Sequence, residues 1–230
     1  MSGAGFYGKL AGRGDFIQRG LPSSFIEPWD AWLAAGIAAS QRELGPAWLD
    51  AYLVSPLWRF ALAPGLSGAT AVTGVMMPSV DRVGRYFPLT IACLLDADAD
   101  LGSLLGGPDH WYERVEALLL STLDEDSEFE AFESAVATLA SPVHGRRRAR
   151  TAGFRQMHFC VDSPGERLAV LAQLTCEGAS LWWGRGSEHV AAGLLCCAGL
   201  PAEQAFSGLL LGADACPAPG LAAQLNIENR

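Results

Sequence analysis

Phe25, Trp29, Trp32, Leu33 and Ile37 recur at three- and four-residue intervals, so a helix through this segment gathers them into one apolar stripe. A stripe carrying two indoles has to be covered by other elements. Ser24 with Glu27 fits a capping box, which sets Pro28 in the first turn, where its missing N–H costs no hydrogen bond. A shorter helix is expected over 47–53, with Trp48 and Tyr52 four residues apart, ending before Pro56.

What covers the stripe is read from the segments around it. Phe6 to Leu10 is an extended run, Gly12 and Gly14 lie in a turn, and Asp15 to Ile17 returns, which together predict a hairpin. Leu57 to Leu62, Thr70 to Met77 and Phe87 to Leu94 are rich in β-branched and aromatic residues and are separated by Pro and Gly, which predicts an antiparallel sheet. Pro108 opens a helix bearing Trp111, Val115, Leu118 and Leu119 on one face. Ser127 with Glu130 is expected to cap another bearing Phe129, Phe132, Val136 and Leu139.

Residues 142–153, with Arg146, Arg147, Arg148 and Arg150 among turn formers, read as an exposed linker. Beyond it a smaller set is expected: a strand His158 to Val161, a helix Glu166 to Leu174, strands Ser180 to Trp183 and Val190 to Cys196, and a helix Pro201 to Leu211. The expected fold class is α/β in the α+β sense, a central, mainly antiparallel sheet flanked by helices. A first half spans 1–141, a second half spans 154–212 and packs on it, and 213–230 forms a loosely ordered tail.

Half of the 230 residues are apolar and 18% are charged, enough to bury a sizeable core. No run approaches the roughly 18 consecutive apolar residues of a membrane helix, and the N-terminus has no basic region followed by an apolar one. The expected location is the cytoplasm. A net charge of −9 and a pI near 4.9 argue against a nucleic-acid backbone as partner. The six cysteines have no CxxC spacing and fall mostly in apolar runs, as reduced cysteines do when packed as small hydrophobes. The four histidines are scattered; His158 and Cys160 share a face of an expected strand, but two ligands do not make a metal site. No metal or cofactor is expected.

No phosphate loop, dinucleotide fingerprint, nucleophile elbow or zinc-protease motif is present. Arg13-Gly14-Asp15 reads as turn chemistry. The densest polar constellation lies between two greasy strands: Ser79, Asp81, Arg82, Arg85 and Tyr86, on a loop expected to cross one end of the sheet. Three readings stay open for it: a partner-binding or structural loop, an anion site, or a hydrolase pair of Ser79 and Asp81 completed by His158 or His189 through folding. The acidic residues Asp124, Glu125, Asp126, Glu128, Glu130 and Glu133 complement the start of a helix or form a docking patch.

Gly5-Phe6-Tyr7-Gly8-Lys9-Leu10 with Arg13-Gly14-Asp15-Phe16 and Trp29-Asp30-x-Trp32-Leu33, then Pro78 to Leu89, then Ser180-Leu181-Trp182-Trp183-Gly184 with Gly199-Leu200-Pro201 and Phe206, together resemble the TagF family of type VI secretion accessory proteins. Ala11 stands where that pattern is expected to have proline. The resemblance implies a longin-like α/β/α sandwich and a non-catalytic, negative regulator linked to virulence. It also implies action through a forkhead-associated scaffold protein, beside a protein phosphatase carried on another chain. It supplies no catalytic residues. The residues expected to meet a partner are Arg13, Asp15, Ser79, Asp81, Arg82, Arg85 and Tyr86. The alternatives are the small hydrolase above and a structural subunit of the secretion apparatus.

Overall fold

The greasy runs form strands whose residues are buried on both faces, which explains why they read as near-continuous apolar stretches instead of alternating ones. The computed structural model describes residues 3–124, 126–147, 161 and 163–212. In chain order, β1 (Ala4–Gly8) and β2 (Ile17–Arg19) form the opening hairpin, followed by α1 (Ser23–Leu44), a 3-10 turn and α2 (Trp48–Leu53). Then come β3 (Trp58–Leu62), β4 (Val72–Met77), β5 (Leu89–Leu94), the short β6 (Ala99–Asp100), α3 (Leu101–Leu105), α4 (His110–Ser121), α5 (Phe129–Ala137) and the short β7 (Gly145–Arg146). The chain continues through α6 (Pro164–Thr175), β8 (Ala179–Gly184), β9 (Gly193–Ala198), a second 3-10 turn and α7 (Ser207–Leu211).

Seven strands pair antiparallel in the order β2-β1-β5-β4-β3-β8-β9. The fold is α+β, an antiparallel sheet with helices on both faces, as the strand and helix pattern predicts. On one face α1 lays Trp29, Trp32, Leu33 and Ile37 onto Phe60, Val72, Met76 and Trp182. On the other, α4 and α5 pack Tyr112, Val115, Leu119, Phe132 and Val136 against Val75, Met77, Leu89 and Ile91. Alternation along β4 sends Val72 and Met76 one way and Val75 and Met77 the other.

The aromatic stripe of α1 is buried largely by residues remote in sequence. Trp182 of β8 has no exposed surface and lies with its ring 5.2 Å from Trp32 and 5.5 Å from Phe60. Phe206 presses on Gly36, where a Cβ would come within 2.2 Å of its ring, so only glycine lets α1 approach that closely. Buried indole N–H groups are satisfied: Trp29 donates to Thr90 Oγ1 at 3.1 Å, Trp32 to the Pro201 carbonyl at 2.9 Å and Trp58 to the Leu209 carbonyl at 2.8 Å.

Several element ends differ from the sequence reading. Pro22, with extended backbone, caps α1 without a side-chain bond, so Ser24 and Glu27 form no capping box and Pro28 lies beyond the first turn. The Phe25 and Ile26 amides both reach the Pro22 carbonyl, which starts the helix before the serine pair. Glu128, not Ser127, caps α5, and the Ser127 hydroxyl turns back to the Thr122 carbonyl. The return strand is Ile17–Arg19, β9 starts at Gly193, and the segment read as a last helix is split by the 3-10 turn Glu203–Ala205. Within 142–153, Gly145 and Arg146 form β7 paired with β6, and the Arg147 amide bonds the Asp98 carbonyl. The expected strand over 158–161, Arg148 and Arg150, and the tail 213–230 lie outside the described residues, apart from Val161.

Candidate functional site

Hairpin and loop meet at one end of the sheet because Asp81 pulls them together. Its side chain is fully buried and accepts four hydrogen bonds: Oδ1 from the Val83 and Arg85 amides at 3.0 and 2.9 Å, Oδ2 from Lys9 Nζ and Arg85 Nε, both at 2.7 Å. Lys9, the residue after β1, is itself buried and its ammonium sits 5.0 Å over the Phe16 ring. Burial pushes the Asp81 carboxyl up, but Lys9 and the surrounding N–H donors outweigh it and hold the group well below the usual carboxylate range.

Backbone geometry completes the loop. The Asp81 amide bonds the Arg85 carbonyl, and the Gly84 amide returns to the Asp81 carbonyl at 3.0 Å in a tight turn with Gly84 at φ 84°, a conformation that favours glycine. Arg85 reaches across to the Gly14 carbonyl and the Arg82 amide bonds the Arg13 carbonyl at 3.1 Å, so each loop fixes the other. Beneath them the Tyr52 hydroxyl both donates to the Ser79 carbonyl and accepts from the Ser79 amide, each at 3.0 Å. Burial pushes that phenol well above its ordinary value.

The structure therefore gathers every residue expected at a partner surface into one region but divides them by role. Ser79 and Asp81 are buried, and Tyr86 packs edge-on against Trp48 and Tyr52. Arg85 is half exposed yet committed to Asp81 and Gly14. Arg13, Asp15 and Arg82 are exposed. Arg13 pairs with Glu130 at 3.2 Å and covers the Phe129 ring at 4.5 Å, whereas the Arg82 guanidinium has no partner among the described residues. These three, with Phe16, Arg19 and Phe129, line a shallow polar concavity of about 470 Å³.

Among the described residues no histidine bonds Ser79. Its hydroxyl donates to the Lys9 carbonyl at 2.8 Å in a buried position, and the neighbouring carboxylate is taken up by Lys9 and Arg85. His189 is exposed in the β8–β9 connection, and His158 lies outside the described residues. Among the described residues no three His, Cys, Asp or Glu side chains are grouped to hold a metal ion, and no helix is long and apolar enough to cross a membrane. Cys93 and Cys176 are packed, and burial pushes the Cys176 thiol up to about 11. Cys196, read as a packed hydrophobe, is instead exposed on β9, the outer strand of the described sheet.

Sequence reading missed two residues. Lys9 carried a signal, being the chain's single lysine within an otherwise apolar run, but its partner lies on a distant loop. Arg59 sits buried in β3, donating to both Glu116 oxygens at 2.6 and 3.1 Å and pairing with Asp109 at 2.8 Å; this bidentate clamp ties α4 to the sheet.

Residues 5–139 match the family model described as TagF N-terminal domain, type VI secretion system-associated. The chain is also similar to a solved structure, that of PA0076 from Pseudomonas aeruginosa PAO1, with 62% identity and a TM-score of 0.86 over 91% of this chain and 94% of that one. Comparison with curated proteins gives no match.

Proposed function

Because the chain belongs to the TagF family of type VI secretion-associated proteins, we propose that it is a post-translational repressor of that machine, working in the cytoplasm by binding a forkhead-associated scaffold protein. A separate phosphatase acts beside it. The observation that carries this reading is the cross-locking of the two loops through Asp81 and Lys9, which presents Arg13, Asp15 and Arg82 on a preformed surface with the reactive-looking serine turned inward. A rigid surface loses little entropy when a partner docks, and arginine and aromatic groups are frequent anchors of such contacts.

The choice of test residue follows from the geometry. Arg85 holds the loop together, so changing it would confound folding with binding; Arg82 does not. Arg82→Glu is expected to abolish capture of the forkhead-associated protein in co-purification while leaving the thermal melt unchanged. Capture at unchanged affinity would remove this surface from the interface.

A further inference from the structure

A second concavity lies beside the first, between α4 and α5, and shares Phe129 with it. Its volume is about 390 Å³ and its floor is apolar, formed by Leu10, Leu118, Phe129 and Phe132. The rim is acidic: Asp124, Asp126 and Glu128 line it, and among the described residues no cationic side chain does and none of these carboxylates has an ion-pair partner. Leu120 and Leu123, in the same stretch of chain as the rim, are 48% and 59% exposed.

We propose that this groove docks a basic amphipathic helix of a partner protein. The inference rests on the reading that the chain acts by binding, and it names the chemistry of what is bound. Two helices side by side with an apolar floor accept a third helix laid along them, its apolar side chains entering the groove. The unpaired carboxylates select lysine and arginine on the flanks of that helix, because their charge is complementary, and repel an acidic one.

The probe is a fluorescently labelled synthetic helix of leucine and lysine, compared with the same helix carrying glutamate for lysine, titrated with the full chain by fluorescence anisotropy. The lysine helix is expected to bind and to weaken as salt is raised; the glutamate helix is expected to bind at least about tenfold more weakly. Asp124→Asn with Asp126→Asn should weaken the lysine helix about fivefold. The control pair Glu27→Gln with Asp50→Asn removes the same charge from exposed sites on the helices of the opposite face and should leave it unchanged. Ala131→Trp, at an exposed position lining the groove, should also weaken it with the charges intact. Arg82→Glu should not, which separates failure of this groove from failure of the loop surface. Equal binding of the two helices, equal loss in the rim and control pairs, or full binding by Ala131→Trp would each overturn the proposal.

Discussion

Asp81 takes four donors on two oxygens, so nothing but a carboxylate can occupy the position without leaving a donor unmet. Asp81→Asn keeps the size but turns an amide N–H₂ toward Lys9 or Arg85 and strands a buried ammonium without its counter-charge. The expected result is a fall in Tm of about 10 °C near neutral pH, read by a thermal melt. The pH dependence has a definite sign. The folded-state carboxyl titrates below the unfolded one, so its contribution is complete above about pH 4 and is lost as pH falls toward the folded value. The stability gap between the native chain and Asp81→Asn should therefore narrow on acidification below about pH 4; a gap of constant size would contradict the assignment. At this scale the loop's polar density was visible in the sequence. Which of its residues point inward was not, because Lys9 approaches from another element.

Helices and strands were legible where periodicity and β-branched runs are strong, and their ends were not. Ser24 with Glu27 and Ser127 with Glu130 have the right spacing for capping boxes and form none, whereas Ser163 with Glu166 forms one that the spacing alone did not single out. Spacing sets what is possible; where the chain turns depends on the packing that the turn permits. Gly36 illustrates the same competition. Alanine there gains about 1 kcal/mol of helix propensity. Its Cβ would, however, lie 2.2 Å from the ring of Phe206, which is 1% exposed and hemmed in by Trp32. The clash should win, and Gly36→Ala should destabilise the chain by about 1–3 kcal/mol in chemical denaturation. A more stable variant would show that the contact yields.

The sheet order joins the first half of the chain to the second, since β8 pairs with β3 through Arg59↔Trp183 to Leu62↔Ser180. Sequence patterning gave the class of fold but not this order, because local periodicity carries no record of which distant strands will be neighbours. The consequence falls on the aromatic stripe of α1, whose cover includes Trp182 and Phe206. A fragment ending at residue 141 keeps the stripe and loses that cover, so it is expected to melt without a cooperative transition; a sharp two-state melt would show that the first five strands suffice. The buried clasp at the sheet's end has a further consequence. The chain's only lysine is spent inside it, so acetyl transfer, isopeptide tagging or any other acylation of a side-chain amine can reach this protein only when the two loops come apart, and the extent of such labelling records how often they do.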